Sequence, residues 1–101
     1  MVEDEYAFDA GDWRCVAVRS DRPWGNGLKV RAFDRKGHPL FVVDFVCHPE
    51  LPAYEELQAM STSELIDLAA LRLHAEECRR SLMEAREQGL HLILGFQATL
   101  D

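Results

Sequence analysis

The longest regular pattern in the chain is a helical period of apolar residues between Ser61 and Gly89. Ser61 stands three residues before Glu64, which is the spacing of a capping box. No Pro or Gly interrupts residues 65–88, and Gly89 follows at the position where a left-handed residue commonly ends a helix. The pattern therefore predicts one long helix, about 40 Å in length at 1.5 Å per residue.

Two apolar surfaces lie on this predicted helix. At 100° per residue, one surface is a seam along its whole length, formed by Leu68, Leu71, Ala75, Cys78, Leu82 and Ala85. The other surface covers the first half. A strand of eight residues spans only about 26 Å, so the rest of the helix must overhang, kink or pack against another chain. We predict a homodimer whose interface contains Leu65, Ile66, Ala69, Leu73 and Leu82.

Alternating or β-branched segments predict four strands, at residues 13–20, 28–34, 40–47 and 91–100. The third is apolar on both faces apart from Asp44, which indicates a central strand. We expect Asp44 to pair with an arginine such as Arg14 or Arg31. The order β-β-β-α-β predicts an α+β fold: an antiparallel three- to four-stranded sheet with one long helix packed across one face, and with the last strand beside the first.

A length of 101 residues, of which 48% are apolar, suits one domain with a modest core. Residues 1–12 contain five acids and no base, so we expect an acidic arm that is free to move, followed by a single α+β domain at residues 13–101. Three irregularly spaced cysteines are typical of reduced thiols. No apolar run is long enough to cross a membrane. These features predict a cytoplasmic protein that binds no membrane.

The charge is distributed unevenly. Residues 13–38 carry seven bases and two acids, a local charge of +5, whereas the whole chain carries −7. We predict that this basic hairpin binds a partner through Arg14, Arg19, Arg22, Trp24, Lys29 and Arg31. Because the rest of the chain is acidic, charge complementarity favours an acidic protein surface, or the acidic arm of a dimer mate, over nucleic acid.

Few residues have spacings that indicate chemistry. His74 and Cys78 lie one helical turn apart and could bind zinc together with Cys47 and His48. However, neighbouring residues of a strand point to opposite sides, so Cys47 and His48 are poorly placed to share a metal. The same alternation separates Cys47 from Asp44 and His48, and so argues against a Cys-His-Asp hydrolase. We predict no catalytic residue, no metal and no cofactor.

These observations favour a small, non-enzymatic protein-interaction module, regulatory or inhibitory, that occludes a partner's surface and acts as a homodimer. A nucleic-acid-associated protein that uses the hairpin at residues 14–36 is the second hypothesis. A small enzyme or ligand-binding domain, with its pocket at a dimer interface, is the third.

Overall fold

The computed structural model describes residues 5–22, 25–46, 54–89 and 92–95, with the backbone alone described for residues 20–22, 25, 26 and 95. The predicted α+β class is confirmed. The described elements are β1 (Glu5–Ala10), β2 (Trp13–Arg22), β3 (Gly25–Phe33), β4 (Pro39–Val46), α1 (Tyr54–Ala59), α2 (Thr62–His74), α3 (Glu76–Glu87) and β5 (Leu92–Gly95). None of these helices combines the length and the apolar composition needed to cross a membrane.

In the described part of the chain, five strands form one mixed sheet in the order β1-β2-β3-β4-β5. Strands β1 to β4 are antiparallel neighbours, and β5 is parallel to β4. The predicted antiparallel sheet of three or four strands is therefore wrong, as is the place of the last strand beside the first. The helical crossover after β4 returns the chain in the same direction, which makes β5 parallel to β4.

The additional strand is β1, which lies in the segment expected to be an acidic arm. It pairs with β2 from Glu5 opposite Val18 to Ala10 opposite Trp13. A two-residue turn joins the strands, and Gly11 adopts a φ of 65° there, a conformation that glycine accepts readily. β1 thus occupies the sheet edge next to β2.

The long helical segment is divided at Ala75, so the prediction of one long helix is wrong. Ala75 has φ −68° and ψ 123°, an extended conformation between α2 and α3. A straight helix would turn Glu76, Arg80 and Glu84 towards the sheet, on the stripe that α2 buries. The break rotates α3 so that Leu82 is buried instead.

Both predicted ends of the helical segment are confirmed. The Ser61 side chain accepts from the Glu64 amide, and the Glu64 carboxylate accepts from the Ser61 amide, each at 3.3 Å. Gly89 has a positive φ of 69° after the last turn of α3. These signals act within a few residues, which is why the local pattern identifies them.

The core lies between the described helices and one face of the sheet. Sheet residues such as Cys15, Val30 and Phe45 pack there in one buried cluster with residues of α1, α2 and α3. Most of the side chains predicted for a dimer interface belong to this cluster: Leu65, Ala69 and Leu73 are 0% exposed, Leu82 is 1% exposed, and Ile66 packs against them, partly buried. In a single chain these residues form core, whereas Leu71 of the predicted seam is 52% exposed.

Arg79 fixes α3 to the sheet. Its Nη1 donates to the carbonyls of Ala10 (2.9 Å) and Leu73 (3.1 Å), and its Nη2 donates to Asp12 Oδ1 (2.5 Å). The guanidinium carbon also lies 3.6 Å from the ring centroid of Trp13. One side chain therefore ties together the β1–β2 turn, the end of α2 and the start of α3.

Candidate functional site

The face of the sheet opposite the described helices, here called the outer face, is the surface on which predicted binding residues meet. Residues that alternate with the buried ones point to it. The molecule is 22 Å thick in its shortest dimension, which corresponds to about two layers spaced ~10 Å apart. The outward residues include Glu5, Ala7 and Asp9 in β1, Arg14, Val16 and Val18 in β2, Lys29, Arg31 and Phe33 in β3, Val42 and Asp44 in β4, and Ile93 in β5. Not all of these side chains are open to solvent: Asp44 is 5% exposed, and Val46, on the same face of β4, is 8% exposed.

Apolar side chains occupy the middle of the outer face. Val16 and Val42 lie on either side of Arg31 in one row across the sheet. In the next row, Val18 is opposite Lys29. Val42 is 36% exposed, and Ile93, next to β4, is 58% exposed. Water-facing positions of antiparallel sheets are usually polar, so the exposed Val42 and the half-buried Val16 and Val18 indicate a surface suited to contact.

The charges of the outer face are partly paired within the chain. Arg31 Nη2 lies 2.8 Å from Glu5 Oε1, and Arg14 Nε lies 3.9 Å from Asp9 Oδ1. Lys29 is exposed and forms no ion pair with another described residue. Asp44 of β4 lies opposite Lys29 and is only 5% exposed. Its expected pairing with a hairpin arginine stays a prediction.

The structure brings together half of the residues predicted to bind a partner. Arg14, Lys29 and Arg31 share the outer face. In neighbouring strands, directly paired residues point to the same side of the sheet, and these three residues or their partners alternate with the buried ones. Arg19 has the opposite parity, and its Nη1 donates to Thr62 Oγ1 at 2.5 Å. It thus joins β2 to the start of α2. The Arg22 side chain and Trp24 lie outside what the structure describes.

Acids of β1 share this face with the bases, which the sequence pattern of residues 13–38 alone does not indicate. Residues 5–10 alternate between charged or small outward residues and the apolar Tyr6, Phe8 and Ala10. This period of two predicts a strand. The many acids in the segment favoured a mobile arm. The alternation would have predicted β1, and with it the position of Glu5 and Asp9 beside the basic strands.

A shallow cleft of about 370 Å³ lies at the end of the sheet where the β1–β2 and β3–β4 turns meet. Asp34 lines it, and its carboxylate accepts from the His38 and Lys36 amides at 2.9 Å. The hydrogen bond from the His38 amide is the largest cause of a lowered pKa for Asp34. Asp34 therefore holds the β3–β4 turn, as Asp side chains commonly do.

The described residues offer little for covalent or metal chemistry. Burial, reinforced by the negative charge of Asp9, raises the pKa of Cys15 to about 11, so this thiol stays neutral near pH 7 and is a poor nucleophile. Within the described ranges, no three His, Cys, Asp or Glu side chains are grouped to hold a metal ion. The break at Ala75 places His74 and Cys78 on different helices; Cys47 and His48 lie outside the described residues.

Comparison with known proteins gives no relative from which a function could be transferred. No family model matches the chain, and no curated protein or solved structure matches it either.

Proposed function

We propose that this chain is a non-enzymatic protein-interaction module that regulates or inhibits a partner protein by covering part of its surface. The recognition surface is the outer face of the sheet. The observation that carries the proposal is the row of exposed or half-buried valines beside Lys29 and Arg31 on this face. An apolar centre bordered by charged groups is the usual anatomy of a protein–protein interface.

The charges indicate what the partner presents. Lys29 is available to a carboxylate, and the ion pairs of Arg14 and Arg31 involve side chains that are 42–75% exposed. Exposed pairs contribute only about 0–1 kcal/mol each, so exchanging a β1 acid for a partner's acid costs little. The face therefore suits a protein surface that is acidic around an apolar centre.

Nucleic acid is the weaker alternative. Arg19 contacts Thr62 instead of sharing the outer face, and Glu5 and Asp9 lie among the remaining cations. A phosphate backbone would meet these acids as it approached the arginines, whereas a shaped protein surface can avoid them. A cytoplasmic location is also part of the proposal, and the free thiols of Cys15 and Cys78 support it.

The test is a photo-crosslinking amino acid placed at position 18, in the middle of the outer face, and expressed in the source cell. We expect a discrete protein adduct from Val18 but none from a matched position, Glu84, which is exposed on α3. Lys29→Glu should reduce the adduct, whereas Arg80→Glu, a charge reversal on α3, should not.

Three results would contradict the proposal. They are the absence of any adduct from position 18, equal adducts from positions 18 and 84, and an adduct that consists of nucleic acid. Micromolar binding of a single-stranded oligonucleotide near physiological salt, weakened by Lys29→Glu, would support the nucleic-acid alternative instead.

A further inference from the structure

We infer that the free edge of β1 binds one extended strand of a partner protein, in which basic and apolar side chains alternate. This binding mode is β-strand addition, in which backbone hydrogen bonds supply affinity and alternate side chains supply specificity. The strand adds to the side of the sheet instead of packing on the outer face, so the inference goes beyond the proposed function and does not depend on it.

The backbone of β1 offers hydrogen-bonding groups on its free side. In the described part of the chain, β1 pairs with β2 alone. A two-residue turn joins these strands, so Ala10 and Trp13 form a hydrogen-bonded pair, and every second residue of β1 before Ala10 bonds to β2 in the same way. The N–H and C=O groups of Glu5, Ala7 and Asp9 therefore point away from β2. All three residues are exposed, so these groups are open to a further strand.

Helix α2 lies above this edge. Among the described strands, α2 packs mainly on β1. Thr62, its first residue, accepts from Arg19, which is next to the residue opposite the start of β1. Leu73, near its end, shares the Arg79 guanidinium with Ala10, the last residue of β1. α2 therefore runs along β1 in the same direction as the strand.

The handedness of the crossover determines which flank of α2 faces the free edge. β4 and β5 are parallel, and crossover connections between parallel strands are right-handed. Because α2 runs in the same direction as β1, this handedness turns Leu68 and Leu71 towards the free edge. Leu68 is half-buried and Leu71 is 52% exposed. Ile66 and Ala70, on the opposite flank, are half-buried, as expected beside the other helices.

The space beside β1 and below this flank, here called the edge slot, has apolar walls. Tyr6 and Phe8 point to the helix side of β1, because they alternate with the outward residues. Tyr6 is 38% exposed and Phe8 is half-buried. A strand added about 4.8 Å from β1 would place every second side chain next to Tyr6, Phe8 and Leu68. Apolar residues at these positions would bury surface that water contacts in the free chain.

Charge selects the side chains on the other face of the added strand. The Glu5 and Asp9 side chains are 60% and 74% exposed, and each uses one carboxylate oxygen for its arginine. The second oxygen is open to a base at the opposite position of the added strand, whereas an acid there is repelled. The chain's net charge of −7 also attracts a basic segment. The pattern that fits is therefore basic, apolar, any residue, apolar, basic.

A second copy of β1 does not fit the edge slot. Pairing the two edges about a two-fold axis would bring the two α2 helices to about the spacing of neighbouring strands, ~4.8 Å. Packed helices need about 8–10 Å between their axes. The register with the longest overlap, centred on Ala7, would also set each Glu5 against the Asp9 of the other copy. The occupant is therefore a strand of another protein that brings no helix over its own paired edge.

The test uses an acetylated and amidated peptide with the central sequence Lys-Val-Thr-Val-Lys, titrated into isotope-labelled protein and followed by NMR. We expect saturable binding with a Kd below about 1 mM and slower hydrogen exchange of the Ala7 amide. A peptide with glutamate in place of both lysines should bind about tenfold more weakly or less. In the commoner antiparallel arrangement, the central threonine lies opposite Ala7. N-methylation of this threonine removes the N–H that bonds to the edge, so binding should be lost.

Ala7→Pro is the decisive variant of the protein. Edge strands tolerate proline where the N–H faces solvent, so far-UV circular dichroism should show a native fold, but the edge donor is lost and the peptide should not bind. Ala7→Thr keeps the donor and is the matched control. Leu71→Glu removes an apolar wall and should raise the Kd about threefold or more. Ile93→Glu changes an exposed apolar residue of β5 and should leave the Kd unchanged.

Four results would overturn the inference: no saturable binding of the lysine peptide, equal binding of the lysine and glutamate peptides, binding that survives N-methylation, and binding to a folded Ala7→Pro variant. If Ala7→Pro does not fold, the comparison of Leu71→Glu with Ile93→Glu takes its place. Equal Kd values for these two variants would then contradict a strand that lies below α2.

Discussion

Replacing Arg79 by Met should destabilise the protein by about 2–4 kcal/mol. The substitution keeps an aliphatic chain over Trp13 but removes the donors to the Ala10 and Leu73 carbonyls. Leu73 is the penultimate residue of α2, and carbonyls at a helix end have no partner within the helix. The positive charge at this end also interacts favourably with the helix dipole.

The magnitude follows from the separate contacts. Hydrogen bonds that involve a charged group contribute about 1.5–3 kcal/mol each, and a cation–π contact contributes about 0.5–2 kcal/mol. These terms are not additive within one guanidinium. The ion pair with Asp12 adds little, because that carboxylate side chain is 61% exposed. The two backbone carbonyls and the Trp13 ring therefore account for most of the estimate of about 2–4 kcal/mol.

Urea unfolding at fixed protein concentration, followed by far-UV circular dichroism, measures this loss. In thermal unfolding it corresponds to roughly 10–30 °C for a domain of this size. Arg79→Lys should give an intermediate loss, because one ammonium cannot reach all the acceptors of the planar guanidinium. The control is Arg80→Met: Arg80 is 68% exposed and lies 3.6 Å from Glu76, so we expect a loss of about 0.5 kcal/mol or less. Equal losses in Arg79→Met and Arg80→Met would refute the reasoning.

Three further predictions follow from matched positions and from pH. Gly11→Ala and Gly89→Ala both place a side chain at a positive φ, 65° and 69°, which costs about 1–2 kcal/mol. Gly11→Ala should cost more than Gly89→Ala in urea unfolding, because the added Cβ at position 11 would lie 3.2 Å from Nη1 of Arg79, whereas the Cβ at position 89 would meet nothing within 4 Å. Equal losses would contradict this. Leu65→Ala should cost about 2–5 kcal/mol and Leu71→Ala about 0.5 kcal/mol or less, since they are 0% and 52% exposed; the reverse order would show that the seam is core. Asp34→Asn should be less stable than the wild type at pH 7, because a carboxylate whose pKa is lowered in the folded state adds stability while it is ionised. The free energies of unfolding of the two proteins should converge as the pH falls below 3.8, where Asp34 becomes protonated. A difference in urea unfolding that persists at low pH would argue against the turn role of this carboxylate.

The fold was predictable where the determining signals are local. The capping box at Ser61, the left-handed Gly89 and the strands that became β2, β3 and β4 depend on residues close to one another in sequence. The break at Ala75 was not predictable in this way, because alanine favours helix. Its cause is tertiary: the sheet accepts the apolar stripe of α2 but would not accept Glu76 and Arg80, which a straight helix would place there.

The candidate site was predictable in part, because strand alternation determines which side of the sheet each side chain faces. Arg14, Lys29 and Arg31 share a face, and strand alternation together with the hairpin register explains why Arg19 does not. The buried surface of the helical segment could not be identified from the sequence, because the segment has two apolar surfaces and the sequence does not say which one the sheet covers. The fold covers the surface that contains Leu65.

The acids of β1 change the meaning of the basic hairpin. The charge of +5 on residues 13–38 suggests a cationic patch when the segment is considered alone. In the fold, β1 lies beside β2, and its acids pair with Arg14 and Arg31. The same acids discourage β1 from pairing with an acidic strand. A long-range phosphate attraction would therefore be weak on the outer face, whereas a protein surface that meets acids and bases in register, row by row, gains from both.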